Sequence, residues 1–305
     1  MPYIVTAASG QLGRRIVDAL LARGVAPRDI VATSRNVDSL SALADAGVTT
    51  AELDYSRPET VSAVVNEGDT LMLVSGSEVG QRVAQHTAVI HAARGAAVDR
   101  IVYTSVAEAT TTSLILAPEH KATEEALVES GVPFTILRNN WYTENYYGDI
   151  VAGRETGEIT ASVGTGRVAS ATRAEYADAA AAALLDPSLA GQVFELSGDD
   201  AWDYEQLALA ISELTGRPVS FRNLTPEEHV ESLTAAGVDS GTAGFVVALD
   251  ANIRDGALSR ATGHLSSLTD KPTVSLVDGL ARALEEQRPS WLAETSESRG
   301  NAATA

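Results

Sequence analysis

Residues 3–13 read Tyr-Ile-Val-Thr-Ala-Ala-Ser-Gly-Gln-Leu-Gly, and this stretch decides the fold. A short apolar run ends in small residues, and a segment with apolar residues at helical spacing follows. This order predicts a strand, a tight turn and a helix, the first unit of a dinucleotide-binding fold. In such a unit a pyrophosphate binds at the N-terminus of the helix.

The turn departs from the usual three-glycine fingerprint at its first position. Gly10 and Gly13 keep the spacing of the second and third glycines, whereas Ala7 replaces the first. Glycine lets the backbone approach the phosphates without a steric conflict. We expect Ala7 to keep φ below zero, in a slightly displaced turn that binds the cofactor more weakly.

Composition excludes several classes of function. The 305 residues include 22 Lys and Arg against 41 Asp and Glu, so the net charge is −19 and nucleic acid is not an expected partner. The chain has no cysteine, which excludes disulfides and thiolate chemistry. Without a signal peptide, a membrane-spanning run or a metal-binding pattern, we expect a cytoplasmic protein with no metal and no membrane contact.

Further apolar runs alternate with helical patterns along the first half of the chain. The predicted strands cover residues 29–35, 48–53, 69–74, 100–105 and 133–138, with clear helices at 79–97 and 118–130. This alternation predicts an α/β protein with a Rossmann-type doubly wound parallel sheet. Ligands bind outside the carboxyl ends of the strands in such a sheet.

The alternation weakens after residue 141, and we therefore predict three regions. Residues 1–150 form the NADP-binding Rossmann domain, and 151–292 form a smaller C-terminal portion that packs on it and covers the substrate. Residues 293–305 form a flexible tail. Within the C-terminal portion we expect a helix at 173–185, a strand at 192–196 and a helix that begins at Asp203 and ends at Gly216.

The end of the second strand indicates the cofactor. NAD-specific folds carry an acidic residue there, but this chain has Ser34-Arg35-Asn36. An arginine binds a phosphate through paired hydrogen bonds. We therefore expect Arg35 to bind the 2′-phosphate of NADP(H); the alternative is a solvated arginine at a helix start.

Two longer strings carry a family resemblance. They are Ser-Gly-Ser-Glu-Val-Gly-Gln-Arg at 75–82 and Leu-Arg-Asn-Asn-Trp-Tyr-Thr-Glu-Asn-Tyr at 137–146. With these strings the chain resembles the NmrA-like, atypical short-chain dehydrogenases, among them bacterial NADPH quinone oxidoreductases and reductases of triphenylmethane and azo dyes. The resemblance extends to about residue 225.

The resemblance implies a set of cofactor-binding residues. The turn would hold the pyrophosphate, the fourth strand end would line the cofactor, and residues 139–144 would surround the nicotinamide and its ribose. The implied residues are Thr6, Ala7, Ala8, Ser9, Gly10, Gln11, Leu12, Arg35, Ser75, Gly76, Ser77, Thr104, Asn139, Trp141, Thr143, Glu144 and Ser170. Asn140 replaces the glycine usual in this family, which adds a polar side chain where substrate is expected.

The chemistry expected of this set is hydride transfer without a dedicated proton donor. None of the eight tyrosines has a lysine four residues later, so the Tyr-x-x-x-Lys pair of typical short-chain dehydrogenases is absent. A planar, electron-poor acceptor such as a quinone does not need it, because the reduced oxyanion is delocalised and water supplies the proton. We take His120, Asn140 and Tyr142 as candidate catalytic residues.

Alternatives remain open at this stage. Trp141, Tyr142 and Tyr146 either stack on a planar acceptor or pack a helix on the sheet. His120 either contacts the ribose, assists proton transfer or is a surface histidine. The chain as a whole could instead be an NADP-binding redox sensor of the NmrA type, or a reductase of specialised ketones or imines. A homodimer is possible.

Overall fold

The structure is a computed structural model that describes residues 2–286. In this range the strands are β1 (Tyr3–Val5), β2 (Ile30–Ser34), β3 (Thr49–Glu52), β4 (Thr70–Leu73), β5 (Arg100–Val106), β6 (Phe134–Asn139), β7 (Glu158–Ala161), β8 (Arg167–Val168), β9 (Val193–Leu196), β10 (Trp202–Asp203) and β11 (Ser220–Asn223). The α-helices are α1 (Gln11–Ala22), α2 (Ser41–Asp45), α3 (Pro58–Val64), α4 (Arg82–Gly95), α5 (Ala117–Ser130), α6 (Tyr147–Thr156), α7 (Arg173–Leu185), α8 (Tyr204–Thr215), α9 (Pro226–Ala235), α10 (Ser240–Arg254), α11 (His264–Thr269) and α12 (Leu276–Glu286). The tail expected at 293–305 lies outside the described residues.

Seven strands form one parallel sheet in the order β3-β2-β1-β4-β5-β6-β9. Val5 of β1 lies between Ala32 of β2 and Met72 of β4. The strand order therefore reverses beside β1, because the chain moves outward to β3 and then restarts at β4. This topology confirms the predicted Rossmann-type doubly wound sheet and places its switch point at the carboxyl ends of β1 and β4.

Helices cover both faces of the sheet, as its near-continuous apolar strands require. On one face α1 and α7 pack together over a core that includes Ile16, Leu20 and Met72. Because α7 is rich in alanine, only small side chains separate these two helices. On the other face α3, α4 and α5 cover a core that includes Leu71 and Tyr103.

The C-terminal part of the chain starts a separate layer with α6, β7 and β8, and then returns to the sheet with α7 and β9. Strand β9 pairs with β6, and α7 packs on α1. Outside the sheet, β7 pairs with β11 and β8 with β10, and these small ribbons share a core with α6, α8 and α12. The boundary expected at residue 150 does not follow this packing, because the helix at 173–185 and the strand at 192–196 complete the main sheet and its cover.

The predicted helix signals of this region are confirmed. The Asp203 side chain accepts a hydrogen bond from the backbone N–H of Gln206, and the Gln206 side chain accepts one from the backbone N–H of Asp203. Gly216 follows α8 with φ +70°, a conformation that glycine adopts without strain.

A buried arginine joins α7 to the sheet. Arg100, at the start of β5, donates to the carbonyl oxygens of Ala183 and Leu184 at 2.8 and 2.9 Å and to that of Asp186 at 2.9 Å. It also donates to the hydroxyl of Thr135 at 3.1 Å. These carbonyls belong to the C-terminal turn of α7, where no intrahelical donor exists and a cation is favourable.

We predict that Arg100→Met lowers the free energy of unfolding by about 2–4 kcal/mol, because buried carbonyls lose their donors. Urea unfolding followed by circular dichroism measures this value. Arg94→Met is the matched control, since Arg94 is an exposed cation in the last turn of α4. Equal losses in the two variants would contradict the role given to Arg100.

Candidate functional site

The predicted phosphate turn has an open helix N-terminus. Gly10 caps α1 in an extended conformation, its lack of a side chain leaves the cap without a side-chain hydrogen bond, and no acidic residue lies in the first turn. The unpaired backbone N–H groups of this turn are the groups that bind anions. A Cβ at Gly13 would lie 2.3 Å from the carbonyl oxygen of Ala7, so only glycine fits there.

Ala7 adopts the turn conformation of the glycine it replaces. Its φ is +49°, in the left-handed region, and not below zero as the sequence analysis expected. The turn is held by hydrogen bonds from Gly10 N–H to the Ala7 carbonyl at 2.9 Å and from Ala8 N–H to the Thr33 carbonyl at 2.8 Å. These bonds and the contact with Gly13 offset the strain of a non-glycine residue here, and the turn keeps its shape.

A cleft of about 410 Å³ opens at the switch point of the sheet. Residues from the turn, the end of β2, the loop after β4 and the segment after β6 line it together. The predicted residues that line it are Ala7, Ser9, Gly10, Gln11, Leu12, Arg35, Ser75, Gly76, Ser77 and Tyr142. The tertiary structure thus brings most of the predicted cofactor residues to one cavity.

One end of the cleft carries hydroxyl groups and a guanidinium group. The Ser34 hydroxyl donates to that of Ser9 at 2.9 Å, and both residues line the cleft beside Arg35. The Arg35 guanidinium makes an ion pair with Glu78 at 2.7 Å across the cleft. A guanidinium group with adjacent hydroxyls is a suitable donor set for a phosphate.

The loop after β4 is held by a polar network beneath it. Arg82 donates to the Gly76 carbonyl at 2.7 Å and pairs with Glu119 at 2.9 Å, while Glu119 also accepts from Gly80 N–H at 2.9 Å. The Ser75 N–H donates to the hydroxyl of Thr104 at 2.8 Å. Thr104 therefore supports the cleft from below.

His86 holds the same loop in its neutral form. The Gly76 N–H donates to His86 Nε2 at 3.0 Å, so this nitrogen carries no proton, and Nδ1 lies 3.1 Å from the Thr123 hydroxyl. That hydroxyl donates to the Glu119 carbonyl at 2.9 Å and is thus free to accept from Nδ1–H. Burial, together with the positive charge of Arg82, lowers the pKa of His86 to about 3.

Tyr142 closes the opposite end of the cleft. Its ring lies edge-on to Tyr176 at 5.3 Å and beneath the Arg173 guanidinium, whose carbon is 4.5 Å from the ring centroid. Asn139 donates to its hydroxyl at 3.4 Å. Burial raises the pKa of the Tyr142 hydroxyl, so the group stays protonated and able to donate a hydrogen bond.

The remaining cofactor candidates lie outside the cleft. Thr6 and Ala8 are buried behind the turn, where the Thr6 hydroxyl donates to the Met72 carbonyl at 2.9 Å. Thr143 and Ser170 share a hydrogen bond of 2.9 Å and line a second cleft of about 490 Å³, beside α8 and residues 273–277. Tyr142 is extended and Thr143 begins a short 3₁₀ helix, and the two side chains line different clefts.

The structure also places Trp141 and Glu144 away from the cleft. Trp141 packs against the core of the C-terminal layer, and the Glu144 carboxylate accepts from Arg173 N–H at 2.8 Å. Both side chains therefore support the segment that carries Tyr142.

Two candidate catalytic residues do not line the cleft. His120 is buried, and its Nδ1 lies 2.7 Å from the Tyr103 hydroxyl; burial, then the charge of Arg82, lowers its pKa to about 3. Asn140 is also buried and donates to the Leu258 carbonyl at 3.2 Å, while its Oδ1 accepts from Trp141 N–H at 2.8 Å. Its amide is directed into the C-terminal layer, and so is not the polar group that we expected to face a substrate.

Six further lining residues were not predicted as site residues from the sequence. They are Leu53, Asp54, Tyr55, Val74, Glu78 and Gln85. Asp54 and Tyr55 follow the third strand, and the rule that ligands bind beyond strand ends is sufficient to predict them. Glu78 lies in the string at 75–82 that carries the family resemblance, but its place in the cleft, like that of Gln85, depends on the path of the loop after β4.

These residues fit a dinucleotide. The glycine turn leaves a cradle that a Cβ at Gly13 would fill, and the helix N-terminus behind it is open to an anion. At the other end, the Oδ1 of Asn139 is buried beside Tyr142 and has no hydrogen-bond partner among the described residues. A bound group with a donor at that position would satisfy it.

We predict that Ala7→Gly raises the free energy of unfolding by about 1 kcal/mol. The left-handed conformation costs alanine about 1–2 kcal/mol, and the greater freedom of unfolded glycine offsets about half of the gain. Ala97→Gly is the control, because Ala97 has φ +56° in an exposed turn before β5. Denaturant unfolding should show a higher free energy of unfolding in both variants. A lower value in Ala7→Gly alone would contradict the strain assigned to Ala7.

We predict that His86 contributes to the pH dependence of stability. Its folded-state pKa of about 3 lies below the ordinary value of 6.5, so the contribution is complete above pH 6.5 and is lost as the pH falls toward 3. Between pH 6.5 and 4, the free energy of unfolding should fall less steeply in His86→Leu than in the wild type. The two slopes should differ by about 1.4 kcal/mol per pH unit. His91→Leu, which removes an exposed histidine of α4, should keep the wild-type slope.

Comparisons with known proteins show the family of the chain. A family model described as NAD(P)H-binding matches residues 7–187. Quinone oxidoreductase 2 of Escherichia coli (strain K12) is 38% identical over 277 residues, which cover 91% of this chain and 96% of that protein.

Two solved structures resemble the whole fold. The crystal structure of an NADPH-dependent quinone oxidoreductase from Escherichia coli complexed with NADPH matches with a TM-score of 0.89 at 38% identity, covering 93% of this chain and 100% of that one. The triphenylmethane reductase of Citrobacter sp. complexed with NADP(H) matches with a TM-score of 0.88 at 33% identity, covering 92% and 99%. The chain therefore belongs to the NAD(P)H-binding family, in the NmrA-like, atypical short-chain dehydrogenase branch that its sequence strings indicated.

Proposed function

We propose that this protein is an NADPH-dependent oxidoreductase that reduces a quinone or a similar conjugated, electron-poor acceptor. The observation that carries the proposal is the single cleft in which the phosphate turn and Tyr142 meet. A cofactor site and a group able to contact an acceptor are thus within one cavity.

The proposed binding roles follow the order of residues along the cleft. The turn from Ala7 to Leu12 binds the pyrophosphate through its backbone N–H groups. Arg35, with Ser9 and Ser34, binds the 2′-phosphate. Residues 75–77 line the middle of the cofactor, and the Arg82 and His86 contacts keep this loop in place.

NADPH, when bound, supplies the hydride, and the protein supplies position and polarity. The Tyr142 hydroxyl accepts from Asn139 and has no acceptor of its own among the described residues, so it can donate a hydrogen bond to an acceptor oxygen in the cleft. The chain has two lysines, Lys121 and Lys271, and neither lines the cleft. Water therefore supplies the proton that the oxyanion takes up after hydride transfer.

The names of the relatives support this class of acceptor. Besides the quinone oxidoreductase and the triphenylmethane reductase, the NAD(P)H azoreductase of Xenophilus azovorans is 26% identical over 79% of this chain and 83% of that protein. Quinones, triphenylmethane dyes and azo dyes are all conjugated and electron-poor. We propose an acceptor with this shared chemistry.

Two other sequence-based predictions stay predictions. No helix among residues 2–286 is long and apolar enough to cross a membrane. A cytoplasmic location and a homodimer remain to be measured by fractionation and light scattering.

We predict that the purified protein oxidises NADPH in the presence of quinones, and that Tyr142→Phe lowers kcat about tenfold, the effect of losing one hydrogen bond to a developing charge. The absorbance of reduced nicotinamide at saturating NADPH measures the rate. Tyr147→Phe is the control, because Tyr147 lies on α6 and does not line the cleft.

The acceptor panel also separates the alternative functions. Tight NADPH binding without oxidation by any quinone, azo dye or triphenylmethane dye would overturn the proposal that the protein is an enzyme. It would favour a regulatory NADP-binding protein. Reduction of ketones or imines alone would replace the proposed acceptor class.

A further inference from the structure

The charges that line the cofactor cleft are unusual for a site that binds a phosphate. Its charged lining residues in the described structure are Arg35, Asp54 and Glu78, which give one positive and two negative charges. The net charge of the whole chain is −19. An anionic cofactor therefore enters a negative environment that holds a single lining cation.

The two carboxylates differ in the cation that offsets them. Asp54 lies 3.4 Å from Arg57, and Arg57 is not part of the cleft lining. Glu78 pairs with Arg35 at 2.7 Å. Arg35 is thus both the partner of Glu78 and the residue placed to bind a phosphate.

The Arg35–Glu78 pair joins the two walls of the cleft. Arg35 follows β2, Glu78 lies in the loop between β4 and α4, and β1 with the phosphate turn lies between those strands. Both side chains remain largely in solvent, with 69% of Arg35 and 44% of Glu78 exposed. An ion pair this exposed is weak enough for a bound phosphate to replace it.

Glu78 is held in position by a second contact that does not involve Arg35. Its Oε2 accepts from Gln85 Nε2 at 2.9 Å, and Gln85 is buried on α4. The same Gln85 amide nitrogen donates to the Ser56 hydroxyl at 3.1 Å. Glu78 therefore stays at the cleft when Arg35 turns toward another anion.

We propose that Glu78 is a specificity-determining residue that competes with the cofactor 2′-phosphate for Arg35. Its carboxylate must be displaced from the guanidinium before the phosphate binds, and it then lies near a group that carries almost two negative charges. Both effects weaken the binding of NADPH and leave NADH, which lacks this phosphate, unchanged. The inference rests on the role proposed above for Arg35.

Equilibrium binding tests the inference without any measurement of turnover. The dissociation constants of NADPH and NADH are measured by nicotinamide fluorescence at fixed ionic strength, for wild type, Glu78→Gln, Arg35→Gln and the double variant. Glu78→Gln keeps an acceptor for Gln85 and removes the charge. Glu158→Gln is the matched control, because Glu158 forms an exposed ion pair of 3.0 Å with Arg222 in the C-terminal layer.

We expect Glu78→Gln to bind NADPH about 3- to 10-fold more tightly than wild type, with little change for NADH. In the Arg35→Gln background the same substitution should give a smaller gain, because the competition requires Arg35. Glu158→Gln should bind both cofactors like wild type, which would show that the gain is not an effect of net charge.

Unchanged or weaker NADPH binding in Glu78→Gln, or an equal gain for NADH, would overturn the inference. Such a result, with a wild type that prefers NADPH and loses this preference in Arg35→Gln, would leave the proposed function intact. If wild type does not prefer NADPH, or if Arg35→Gln affects both cofactors equally, the proposed role of Arg35 is itself wrong.

Discussion

The close contact between the Ala7 carbonyl and Gly13 is the constraint on which the site depends. It brings the first turn of α1 against the end of β1, and a single added carbon at position 13 would overlap the carbonyl. This approach places the open N-terminus of α1 at the switch point of the sheet, where anion binding is favoured. The rest of the cleft is arranged around that point, with β2 on one side and β4 on the other.

Polar groups beneath the cleft bind the backbone of the loop after β4 and hold it in place. Arg82, Glu119 and a neutral His86 bind its backbone from α4 and α5, so their roles are to position the loop and not to react. A neutral histidine suits this task, because one ring nitrogen accepts from the loop while the other can donate to Thr123. The charged side chains that line the cleft are then Arg35 and the two carboxylates of Asp54 and Glu78.

Local patterns predicted most of the fold. The apolar strands, the capping residues of α8 and the glycine that ends it all act within a few residues of chain, and the structure confirms them. The sequence does not predict that α7 and β9, which follow residue 150, join the main sheet and its cover, because this depends on contacts between distant segments. Nothing in the strand at 193–196 indicates that its partner is β6 and not another strand of the C-terminal part.

The sequence by itself determined the phosphate turn, the parallel sheet and the cation at the end of β2, because spacing and residue type act locally. Only the tertiary structure decided the conformation of Ala7, the direction of Asn140 and the burial of His120, since each depends on atoms contributed by distant segments. The pairing of Arg35 with Glu78 belongs to the second group: two residues 43 positions apart meet because their strands flank β1. The phosphate turn therefore predicts that a dinucleotide binds, and the tertiary structure determines which charged side chains surround that dinucleotide.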